Sequence, residues 1–234
     1  MSLSPQKITE IAGLNQPVLC VDTCILLDIV RDITRESYHQ GNARAALKLI
    51  DAAEPGKRLV VLVAELVEKE LGDNLANVVE AGENALSKFI KQAKRMHEVA
   101  EAFGAAGTLQ VAHLEGHGDR ARVVLDRWTQ AAVQVPGNSG VLERAMSRVM
   151  AGRTPSRRGK ESPKDCIVVE AYLEAAGQLR AAGLTQPIVF ASSNTQEFFP
   201  NNAGFPSDIA DDFNAVDLQY EPNLGAAMHR LGLK

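Results

Sequence analysis

"PVLCVDTCILLDIV", residues 17–30, changes periodicity in its middle: an apolar run from Pro17 to Val21 gives way at Asp22-Thr23 to Leu26, Leu27 and Val30 at helical spacing. It reads as a strand feeding a helix. Downstream, "RLVVLVA" (58–64) is continuously apolar, as a strand buried on both faces of a parallel sheet must be. A helix from about Asn42 to Ala53 and a Glu-Pro-Gly turn at Glu54 to Gly56 lead into it, and another helix starts at Glu65. Near the other end, a helix from Pro163 to about Ala182 precedes the strand "PIVFAS" (187–192). A last strand is expected near Ala215 and Val216, and the helix "NLGAAMHRL" (223–231) closes the chain. Strands alternating with helices predict a three-layer α/β/α fold around a mainly parallel sheet. Residues 84 to about 150 show helical stretches and no strand alternation, so we expect one domain over 1–234 with a helical insertion there.

Composition bounds the function without choosing it. The chain has 234 residues, enough for a sizeable core, with 45% hydrophobic and 23% charged residues and a net charge of -4. A polyanion would therefore have to be held by a local basic patch or through cations. No basic-then-apolar leader opens the sequence and no apolar run approaches a bilayer span, so a cytoplasmic location is the expectation. Cys20, Cys24 and Cys166 lie in apolar segments without paired CxxC spacing, and read as small core residues, not zinc ligands. No glycine-rich phosphate loop follows a strand, which argues against a nucleotide cofactor.

In parallel sheets, functional groups collect beyond the C-terminal strand ends. Four segments point there: "VLCVDTCILL" with Asp22, "AELVEKEL" with Glu70, "SPKDCIVVEAYLEAA" with Asp165, and "IVFASSNTQEFF" with Asn194 and Glu197. In this order and spacing they resemble the PIN-domain nucleases, more the larger bacterial PIN-like proteins than the short toxin type. The resemblance covers residues 17 to 81 and 160 to 231. It implies metal ligation by Asp22, Glu70, Asp165 and Asn194, with Glu197 where the family often has Asp. It implies a Mg²⁺- or Mn²⁺-dependent hydrolase acting on RNA, or another single-stranded nucleic acid, that leaves a 5′-phosphate and a 3′-hydroxyl. Hard cations of this kind take carboxylate oxygens, and clustered carboxylates without metal repel one another, so at least one is expected to have a raised pKa.

Each residue also has a plain reading. Asp22 suits a helix N-cap, Asp165 an acidic first turn after Ser162-Pro163, Glu70 a solvated helix face and Asn194 an Asx turn. Arg153, Arg157, Arg158, Lys160 and Lys164, just before Asp165, are either a solvated loop or a phosphate-binding rim. Asp28 and Glu170 are secondary candidates, and Trp128 reads as packing. His113 and His117 are four apart, but Gly116 and Gly118 argue against one helix carrying both as a metal pair. Residues 84–150 are a candidate homo-oligomer contact or substrate clamp. Two competing functions remain: a phosphatase with Asp22 as nucleophile, which wants Asp where Cys24 stands, and a catalytically silent module that binds RNA or a protein partner.

Overall fold

The computed structural model describes residues 3–54, 58–160, 162–199 and 204–233, so most of the turn read at Glu54 to Gly56 lies outside the described residues. Five parallel strands form one sheet in the order β3-β2-β1-β4-β5: β1 (Val18–Val21), β2 (Val60–Ala64), β3 (Val133–Val135), β4 (Ile188–Ala191) and β5 (Leu218–Glu221). The three central strands are apolar throughout and every residue in them is buried, because helices cover both faces. In register, Val18 lies beside both Val60 and Ile188, so Asp22, Glu65 and Ser192 leave the sheet at one edge.

The helices are α1 (Pro5–Leu14), α2 (Thr23–Val30), α3 (Gln40–Ala53), α4 (Glu65–Ala102), α5 (His117–Ala131), α6 (Ser139–Ala151), α7 (Pro163–Ala181), α8 (Thr195–Phe198), α9 (Ser207–Ala215) and α10 (Leu224–Arg230). One packing group joins α2 to α4 and α5, and α3 to α5 and α10; another joins α7 to α1 and α6. This is the expected three-layer α/β/α architecture. Among the described residues no helix is long and apolar enough to cross a membrane.

Several elements differ from the sequence reading. The region read as wholly helical contributes the edge strand β3, whose three residues are too few to display alternation. The last strand is β5, because Ala215 ends α9 and Asp217 turns the chain with φ 45°. Helix α1 starts at a Ser4 cap with Pro5 behind it, a sequence signal passed over. Gly116, at φ 67°, begins α5, so His117 opens a helix that excludes His113. Trp128 is core, as read, and its indole N–H donates to the Ala46 carbonyl at 3.2 Å.

Tyr172 ties α7 to the sheet. Its fully buried hydroxyl donates to the Val21 carbonyl at 2.6 Å and accepts from the Ala64 N–H at 3.0 Å, so one oxygen joins the ends of β1 and β2. Asp165 lies seven residues, or about two turns, before it on the same helix. Tyr172→Phe strands those backbone groups in a dry environment, and the expected cost is about 1–3 kcal/mol, read as a Tm fall of roughly 3–10 °C by calorimetry.

Candidate active site

Asp22 ends β1 and caps α2. Its Oδ1 accepts from the Thr23 N–H at 2.7 Å; its Oδ2 accepts from Ser192 Oγ at 2.6 Å and from the Cys24 thiol at 3.2 Å. Burial pushes its pKa up against these bonds, and Glu70 adds to the rise. Glu70 sits on the second turn of α4, where its Oε2 accepts from Thr23 Oγ1 at 3.0 Å and its Oε1 pairs with Lys164 at 2.9 Å. Glu197, on α8, is buried, pairs with Lys160 and accepts from Ser162 Oγ at 3.3 Å.

Asp165 opens α7 among them. Its pKa is pushed up to about 6, first by burial and then by the charges of Asp22, Glu197 and Glu70. These four carboxylates therefore share one electrostatic neighbourhood at the C-terminal edge of β1, β2 and β4. Asn194 stands at the same edge, half-buried, where its N–H donates to Ser192 Oγ at 3.3 Å; its side chain makes no capping bond. Capping and clustering coexist at Asp22, so the two readings of that residue are compatible.

The donor set is one of hard oxygens, which suits Mg²⁺ or Mn²⁺; the nearby Cys24 is kept a thiol, its pKa raised to about 12 by burial and by Asp22. Among the described residues, no three carboxylate, histidine or cysteine side chains stand in a ready ligand cage. The reason is visible in the pairing: Lys160 and Lys164 hold Glu197 and Glu70, and Asp22 is committed to its own donors. The lysines supply the positive charge that such a cluster requires.

The remaining sequence candidates divide. Arg153 is drawn away to Asp212 at 2.9 Å, whereas Arg157 and Arg158 stay on the loop before α7, where a backbone bridge joins Arg157 to Lys160. Glu170 is buried on α7 but serves a different purpose, since its carboxylate pairs with buried Arg148 at 2.7 Å and with Arg144 at 3.1 Å. Asp28 pairs with Arg31 and Arg35, both at 3.0 Å. Sequence reading missed Thr23, Cys24 and Ser192 as parts of the site. The hydroxyl or thiol flanking each strand-end acid was the available signal, and Cys24 is not the plain core residue it resembled.

A sequence model described as PIN domain matches residues 19–198, most of the chain and a span that includes all four of these acids. The chain belongs to the PIN-domain family. PIN domains are generally nucleases, usually metal-dependent. No curated protein and no solved structure gives a significant match.

The raised pKa of Asp165 has a stability consequence with a definite sign. The folded state holds the proton up to about pH 6, whereas an ordinary Asp, at 3.8, releases it earlier, so stability falls as pH rises through that window and the full penalty stands above it. In chelator, Asp165→Asn is expected to raise Tm at pH 7.5 by roughly 5 °C and to change it little at pH 3.5, as followed by circular dichroism.

Proposed function

We propose that this PIN domain is a divalent-metal-dependent endonuclease that hydrolyses RNA, with Mg²⁺ or Mn²⁺ held by Asp22, Glu70 and Asp165 and with Asn194 and Glu197 completing the site. The observation that carries this reading is the convergence of Asp22, Glu70, Asp165 and Glu197 on one strand edge, close enough to raise the pKa of Asp165 together. A hard cation bound there polarises a phosphodiester and lowers the pKa of a bound water. No protein nucleophile is needed. Ser192, Thr23 and Cys24 fix the orientation of the Asp22 carboxylate, and Tyr172 fixes the helix that carries Asp165.

The lysines give the site two states of charge. Without metal, Lys160 and Lys164 neutralise Glu197 and Glu70. With the carboxylates given over to a cation, the same ammonium groups become available to substrate phosphate beside Arg157 and Arg158. RNA as substrate comes from the family resemblance and from the basic rim beside the acids. The competing reading, a silent module that binds RNA or a protein partner, draws on the neutral Asn194 and on the lysine-held carboxylates.

Mn²⁺ calorimetry on wild type and on Asp22→Asn/Asp165→Asn tests the reading. Affinity is expected to fall at least about tenfold in the double variant, with metal-dependent RNA cleavage lost. Equal binding in both proteins, or wild-type binding without turnover, leaves the silent module. Lys160→Met/Lys164→Met is expected to bind Mn²⁺ more tightly and RNA more weakly; a parallel loss of both affinities would refute the exchange of partners.

A further inference from the structure

Helix α4 runs 38 residues, yet its last buried residues are Leu86 and Ile90, which pack with Val111. From Lys91 to Gln110 no residue is buried, and only Ala93 and His97 keep partial cover. The helix thus projects from the body for about 18 Å beyond Ile90. Its exposed side carries large apolar residues among its charges. Phe89, Met96 and Phe103, seven residues apart, form an apolar stripe with exposures of 46%, 68% and 88%.

Lys88, Lys91, Lys94 and Arg95 lie in a stretch, Asn84 to His97, that contains no acidic residue, in a chain whose net charge is -4. None of the four makes an ion pair among the described residues; the neighbouring pair is His97 with Glu101. Lys88, Lys91 and Arg95 line one shallow groove with Asn84, Ser87 and Gln92, and Phe89 follows Lys88 on the same helix. The cations first nominated, by contrast, are mostly engaged: Arg153, Lys160 and Lys164 all have acidic partners.

We propose that the projecting half of α4 is a binding surface for single-stranded RNA, with phosphates on Lys88, Lys91 and Arg95 and bases stacked on Phe89 and Phe103. Cations beside exposed aromatic rings are what sequence-tolerant single-strand binding uses. A second copy of the chain fits less well, because pairing across the stripe brings two basic grooves together. The choice of RNA rests on the proposed nuclease function, but binding does not require catalysis. The same rigid helix carries Glu70, about 27 Å from Lys88 along the axis, so a strand seated on both must span several nucleotides.

Fluorescence anisotropy with an oligouridylate of about 20 nucleotides, in chelator and across a salt series, tests this. Lys88→Ala/Lys91→Ala/Arg95→Ala is expected to reduce the slope of log affinity against log salt by about 2, the share of three phosphate contacts. Phe89→Ser/Phe103→Ser is expected to weaken binding about fivefold or more. Unchanged far-UV circular dichroism and Tm in both variants report an intact fold. An unaltered salt slope overturns the proposal even if the enzyme cleaves RNA. So does a phenylalanine variant that changes only the sedimenting mass, which would make the arm a self-association face. RNA binding lost in the arm variants of a protein that never cleaves upholds the arm and overturns the nuclease reading.

Discussion

The site depends on where α7 is held, and besides its packing a single buried hydroxyl ties that helix to the sheet edge. Tyr172 bonds the Val21 carbonyl and the Ala64 N–H, groups at the ends of two adjacent strands. Burial keeps this phenol neutral, its pKa raised well above the ordinary value, so it remains able to donate. Asp22 follows Val21 directly, Glu65 follows Ala64, and Asp165 is two turns up the helix that Tyr172 anchors. A shift of that hydroxyl would therefore move all three segments relative to one another. A parallel sheet supplies the common edge; the tyrosine makes the edge a fixed distance from the helix that completes it.

Fixing several carboxylates at one edge is costly, and the surrounding structure offsets the cost by two means. Hydrogen bonds from Thr23, Ser192 and Cys24 take both oxygens of Asp22. Lysines pair with Glu70 and Glu197. Asp165 has the Ser162 hydroxyl and the charge of Lys164 to oppose its acidic neighbours, and its pKa still rises to about 6. The separate network around Arg148 steadies the loop that delivers Lys160: Arg148 pairs with Glu170 and Asp212 and donates to the Thr154 carbonyl at 2.7 Å. Glu170 is five residues past Asp165 and points about 140° away around α7, which is why one acid joins the site and the other holds the loop.

Legibility in the sequence followed the strength of each local signal. The central strands were plain, because burial on both faces leaves "VLCV", "VVLVA" and "IVFA" wholly apolar. The edge strands were not: β3 is three residues long, and β5, "LQYE", carries polar side chains because it has less to bury. The positions of Asp22 and Asp165 near the sheet edge could be read from element order, whereas Glu70 was singled out from Glu65 and Glu68 only by the family resemblance. Thr23 and Ser192 were hidden because hydroxyls are common at strand and helix ends for capping alone. The pairing of Lys160 and Lys164 with particular acids was not readable, since long flexible side chains on a loop have many partners within reach until the fold fixes their distances.

Asn194 and Glu197 are best understood together. An Asp at 194 would add a fifth carboxylate to an edge where burial and neighbouring charges already push the pKa of Asp165 up to about 6. Asn keeps a carbonyl oxygen that can still face a cation while adding no repulsion. Glu197 then supplies charge from further along α8, a helix pinned by the buried ring of Phe198 against Phe190 and Tyr220. Its longer side chain meets the loop ahead of α7, where Ser162 and Lys160 receive it. The acid thus links the helix after β4 to the basic loop, a connection that a neutral residue at 197 would not make. With Asn at 194 and the longer Glu at 197, the edge keeps the same kind of oxygen groups and carries one charge fewer than it would with Asp at 194.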